Sequence, residues 1–140
     1  MPIANPRTRC GAAAVELAVV LPVLMLLALG CVDLGRAAAL NIALSNAARV
    51  GAEYGATHRY TSFTLASWQS QVKQEVTAEM QSVRGFDGSN LSTSIQTTTD
   101  ATGILRITVT ASYPFQTVTS WPGLPHDFSI LLSVTDRQYQ

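Results

Sequence analysis

Residues 11–36 read GAAAVELAVVLPVLMLLALGCVDLGR, and from Ala12 to Val32 a single charged side chain, Glu16, interrupts an otherwise apolar run. In helical form about twenty consecutive apolar residues cross the hydrocarbon core of a bilayer, so this stretch is long enough to serve as one transmembrane helix. Arg7 and Arg9 stand just before it. Basic residues stay on the cytoplasmic side, which directs the N-terminus inward and everything after Asp33 outward. Arg36 is the one counter-signal. Pro22 lies inside the run, removes the backbone donor owed to the Ala18 carbonyl and is expected to kink the helix, which a membrane tolerates.

The helical pattern continues beyond the span. Leu34, Ala37, Ala38, Leu40, Ala43, Leu44, Ala47, Ala48 and Val50 extend it through an alanine-rich segment of high helix propensity. One helix from Ala12 to about Tyr54 would be roughly 65 Å long at 1.5 Å rise per residue. Asp33 and Arg36 lie one turn apart on it and are expected to pair for a few tenths of a kcal/mol.

Composition agrees with an anchored chain. Hydrophobic residues make up 47% of the 140 and charged residues only 13%, with the apolar excess gathered before residue 56. Formal net charge is zero and the basic residues form no cluster, so the electrostatic footprint of a nucleic-acid-binding protein is missing. Cys10 and Cys31 are the only cysteines, and neither a disulfide framework nor a four-ligand zinc site can be built from them.

Three processing signals compete for the N-terminal segment. Leu27-Ala28-Leu29-Gly30-Cys31 approximates a lipoprotein signal with Ala28 and Leu29 in the wrong order, and Ala37-Ala38-Ala39 offers a small-residue secretory cleavage site. Glu16 argues against both, because a carboxylate near the start of an apolar region costs insertion energy and serves neither peptidase. The third signal rests on Gly11, Ala12 and Glu16: a basic leader ending in glycine, an apolar helix immediately after, and glutamate at the fifth position counted from Ala12.

In these features the segment resembles the anchor of type IV pilins and their relatives. With GAAAVELAVVLPVLMLLALGCVDLGR followed by NAARVGAEYGA, it is similar to the TadE-like family of Tad pilus proteins. The resemblance implies cleavage between Gly11 and Ala12 by a prepilin peptidase and a subunit-assembly role for Glu16. It further implies other pilus and pseudopilin subunits as partners, and residence in the inner membrane with the C-terminal domain in the periplasm or the pilus. Leu17 follows Glu16 where the short Flp pilins carry tyrosine, and a substantial domain follows the helix, which favours a minor pseudopilin of the Tad (Flp, type IVc-like) pilus. The chain is short for a TadG-like protein. The alternative is an uncleaved or lipidated single-pass protein whose domain is a periplasmic binding module.

The remaining chain reads as a small α+β domain. Thr64 can cap a second helix in which Leu65, Trp68, Val72, Val76, Met80 and Val83 recur at steps of three and four, with Gly85 as terminator. Leu91, Thr93, Ile95 and Thr97 alternate with polar residues. After a turn at Asp100–Gly103, Leu105, Ile107, Val109, Ala111 and Tyr113 alternate again. A loop containing Pro114, Pro122, Gly123 and Pro125 leads to a third strand from Phe128 to Val134, and Asp136–Gln140 is expected as an exposed tail.

The expected organisation is a leader at 1–11, a long helix at 12–56 spanning the membrane at 12–32, and an extracytoplasmic domain at 57–140. In that domain the second helix covers a three-stranded antiparallel sheet, and the segment is expected to fold without the anchor. Trp68 belongs to the apolar stripe, whereas Trp121 is open between a lid on the core and a contact surface. His58 and His126 have no ligand partners at metal spacing apart from Asp127, and no phosphate loop or nucleophile elbow occurs. No enzymatic activity and no cofactor are expected.

Overall fold

A computed structural model describes residues 6–120, 123 and 125–138, with side chains from Gly11 onward. Helix α1 runs from Pro6 to Thr57 and passes through Pro22 without interruption. Helix α2 spans Leu65–Met80, a short 3-10 turn occupies Gly88–Asn90, and three strands follow: β1 (Ser92–Thr99), β2 (Leu105–Gln116) and β3 (Asp127–Arg137). The strands form one antiparallel sheet in the order β1-β2-β3. The chain divides into two compact units, Met1–Arg36 and Ala37–Gln140. The α+β class and all three strands agree with the alternation read from the sequence.

In the second unit one face of the sheet is buried. Ile107, Val109, Ala111 and Phe115 of β2 point inward, and Ile130, Leu132 and Val134 of β3 lie partly buried beside them. The opposite face is a hydroxyl ladder in which Thr108 meets Thr135 at 2.8 Å and Thr110 meets Ser133 at 3.0 Å. From α2 come Trp68, Val72, Val76 and Met80, all on the expected stripe. The rest of the core comes from α1, through Leu40, Leu44, Ala47, Ala48, Ala52 and Ala56. The compact unit accordingly begins at Ala37 rather than at Thr57. A segment from Thr57 alone would strip the core of one of its walls.

Small residues on α1 allow this packing. A Cβ added to Gly51 would lie 2.5 Å from Val76 Cγ2, and one added to Gly55 would lie 3.1 Å from Trp68 Cζ2 and 3.2 Å from Ile107 Cγ2. With Ala47, Ala48, Ala52 and Ala56 they form a smooth stripe along which α2 and the sheet approach the α1 backbone.

Several local expectations are corrected. Thr64 precedes α2 but gives no side-chain cap; its hydroxyl instead accepts from the Thr61 amide at 2.8 Å and closes the preceding turn. α2 ends at Met80, and Val83 is held by a turn in which its amide donates to the Met80 carbonyl at 3.0 Å, before Gly85 takes φ +78°. Pro114, expected in a loop, lies inside β2 opposite Ser129.

The register explains why proline is accepted there. Thr117 N donates to His126 O and Gln138 N to Leu105 O, so the odd-numbered residues of β2 face β3 with their hydrogen-bonding groups. The Pro114 nitrogen faces the other side, where β1 has already ended opposite Ser112, and no ladder bond is lost. Asp136 and Arg137 extend β3 instead of starting a tail.

The β1–β2 turn is organised by Asp100, whose carboxylate accepts from the Thr102 hydroxyl, the amides of Thr102 and Ile104, and the Arg106 guanidinium. The Thr102 hydroxyl first, and then the Ile104 amide, hold its carboxyl down to about 2. Gly103 closes the turn with φ +79°.

Candidate anchor and assembly segment

Apolar side chains stand exposed all around the first unit. Val15, Leu17, Val19, Leu24, Met25 and Leu27 are each more than half exposed, and no polar face relieves them. A helix apolar on every side is buried in lipid or among other helices. α1 is the one helix among the described residues long and apolar enough to cross a membrane by length and composition.

Glycine at position 11 has no packing explanation. Gly11 is exposed and an added Cβ there would meet nothing within 4 Å. A glycine inside a helix costs about 1 kcal/mol relative to alanine. Ala12 and Glu16 follow at an i, i+4 separation on the same helix and both are exposed. Near the other end of the apolar run, Arg36 Nη1 donates to Asp33 Oδ1 at 3.3 Å, with the aspartate side chain almost fully buried and the arginine half exposed. That is the pair expected from their spacing. Cys31 is a free, exposed thiol.

Elsewhere the polar residues singled out in the sequence are not drawn together. His58 stacks on Tyr54 with ring centroids 4.0 Å apart, and His126 Nδ1 lies 2.9 Å from the Thr117 hydroxyl. Among the described residues no group of three or more His, Cys, Asp or Glu could hold a metal ion. Trp68 is buried against Tyr60, with its indole nitrogen unpartnered, and belongs to the core. Trp121 lies outside the described residues. Phe63, in a connection without periodicity, is 96% exposed on the turn closed by Thr61 and Thr64.

Residues 11–53 match the family model described as TadE-like protein, the family that the stretches GAAAVELAVVLPVLMLLALGCVDLGR and NAARVGAEYGA resemble. The match opens on Gly11 and ends within α1, before α2 and the sheet. No curated protein and no solved structure matches the chain.

Proposed function

We propose that this chain is a TadE-like minor pseudopilin, a membrane-anchored structural component used in building a Tad pilus. The observation that carries the reading is the match over residues 11–53 to TadE-like proteins, on a helix whose apolar residues from Ala12 to Val32 are exposed on every side. Residues 12–32 span the inner membrane with Arg7 and Arg9 in the cytoplasm, and the domain that follows stands in the periplasm. A prepilin peptidase cuts after Gly11, and the released chain packs its helix among those of other pilus subunits. Pro22 kinks that helix within the bilayer.

Glu16 is the chemically distinctive group in this scheme. A carboxylate left unpaired at membrane depth costs up to roughly 3 kcal/mol on insertion scales. Cleavage creates an α-amino group on Ala12, protonated at neutral pH because its reference pKa is about 8. Pairing of Glu16 with the amine of a neighbouring subunit removes the cost and sets the register of packing. The test is Glu16→Ala in the native host, which is expected to be inserted and cut normally yet to stop copurifying with other pilus subunits and to reduce piliation. Normal copurification and piliation would overturn the pairing mechanism.

A further inference from the structure

The sheet in residues 37–140 has two open edges, β1 with 8 residues and β3 with 11, and neither strand contains a proline, a lysine or a bulge in its pairing with β2. Proteins blunt edges with such devices because unpaired backbone groups recruit another strand. No residue is charged from Ser92 to Thr99 or from Phe128 to Thr135. On β3 the even-numbered residues bond to β2, so Leu131, Ser133 and Thr135 turn their N–H and C=O groups outward, and on β1 Thr93, Ile95 and Thr97 do the same. Among the described residues no backbone bond reaches these groups.

The two edges fit each other. β1 and β3 each run antiparallel to β2 and therefore parallel to one another, and the common register puts Ser94 level with Ser133, Ile95 with Val134 and Thr98 with Arg137. A second copy displaced sideways by three strand spacings, about 14 Å, lays its β1 along β3 in the same direction. Ser94 of the copy then meets Ser133 on the hydroxyl face and Ile95 meets Val134 on the apolar face, where Ile130, Leu132 and Val134 are only partly buried in the single chain. The backbone groups of Ser133 point at Thr93 and Ile95 of the copy, the slanted pattern of a parallel ladder.

Charge selects the same partner. Arg137 stands across from Arg106 and enters no ion pair among the described residues, and like charges opposite each other on a sheet are destabilising. Arg106 is level with Thr98 and from there its Nη2 reaches Asp100 Oδ2 at 3.2 Å. In the displaced copy Arg137 flanks Thr98 from the other side at the same spacing, so the copy's Asp100 lies within the same reach. Asp127 precedes Leu131, the residue level with the start of β1, and Asp136 accepts the Arg137 amide at 2.8 Å. We propose that copies of this chain join edge to edge, β3 of one beside β1 of the next, with Arg137 paired to the neighbour's Asp100. Because the two edges differ, the contact is head-to-tail and repeats into rows instead of closing a pair. Chains anchored in one bilayer share the single orientation that this pairing requires, and to that extent the inference rests on the anchor reading above.

Disulfide trapping tests it on the full chain in host membranes, with Cys10→Ser and Cys31→Ser as background and Ser94→Cys and Ser133→Cys added. Within one chain these two positions flank Thr110 and lie about 9.6 Å apart, beyond the roughly 7 Å that a disulfide spans between Cα atoms. The membranes are washed with alkaline carbonate, oxidised gently and resolved without reductant. The expected result is a ladder of dimers, trimers and longer products, absent from either single-cysteine chain and weakened several-fold by Arg137→Glu. A ladder indifferent to Arg137→Glu would overturn the proposal. Linking of Ser129→Cys/Thr135→Cys, the positions that β3 against β3 in antiparallel chains would align, would overturn it as well. A chain released by carbonate would remove the anchor reading, whereas a retained chain that stays monomeric would remove the edge contact alone.

Discussion

Gly51 of α1 lies so close to Val76 of α2 that a single methyl group at position 51 would approach the valine Cγ2 to 2.5 Å. Alanine is the better helix former by about 1 kcal/mol, but here the added Cβ would strike a stiff β-branched side chain that is fully buried. Gly51→Ala is expected to destabilise the domain by about 1–3 kcal/mol, the usual range for overpacking. Denaturant unfolding measures it. Val76→Ala should rescue part of the loss in the double variant, since residues in contact are not additive, and fully additive losses would remove the steric explanation.

The shared core also sets where the chain can be cut. A fragment beginning at Ala37 retains Leu40, Leu44, Ala47, Ala48, Ala52 and Ala56 and is expected to melt cooperatively, with a midpoint unaffected by reductant because it has no cysteine. A fragment beginning at Thr57 uncovers Val72, Val76, Ile107 and Val109 and is expected to bind a hydrophobic dye and lack a cooperative transition. Comparable melts by circular dichroism for the two fragments would contradict the role given to α1.

Much of this was legible in the sequence. The stripe Trp68, Val72, Val76, Met80 and the alternation Ile107, Val109, Ala111 are periodic patterns of large apolar residues, and both elements lie where the pattern puts them. The 47–56 stretch of α1 reads as helix but not as core, because alanine and glycine give almost no hydrophobic periodicity. The usable signal was the recurrence of small residues four apart, Ala47-Gly51-Gly55 and Ala48-Ala52-Ala56, which marks a helix approached closely by its neighbours. Pro114 shows the opposite limit. Proline signals a loop unless its nitrogen faces an empty edge, and only the end of β1 at Ser112 shows that it does. The roles proposed for Gly11, Ala12 and Glu16 rest on spacing along one helix, which is read from the sequence alone.

Asp100 gives the β1–β2 turn a pH dependence. Its carboxyl is lowered from 3.8 to about 2 by the Thr102 hydroxyl first, then by the Ile104 amide, with the Arg106 side chain contributing less. A group whose folded-state pKa is depressed contributes stability above its unfolded value and loses it as pH falls through the folded one. Asp100→Asn is therefore expected to lower the melting temperature of the 37–140 fragment at neutral pH, with the difference from wild type shrinking between about pH 4 and pH 2. A difference independent of pH would show that the turn depends on geometry and not on the carboxylate charge.

The account as a whole turns on the N-terminus of the mature protein, proposed to lie at Ala12. Intact-mass measurement on protein purified from its native membranes, with N-terminal sequencing, reads the outcome directly. A chain starting at Ala12, converted to uncut precursor by replacing Gly11 with a bulky residue, is the expected result. A chain that retains Met1, or one that starts at a lipid-modified Cys31, would contradict the prepilin-type reading.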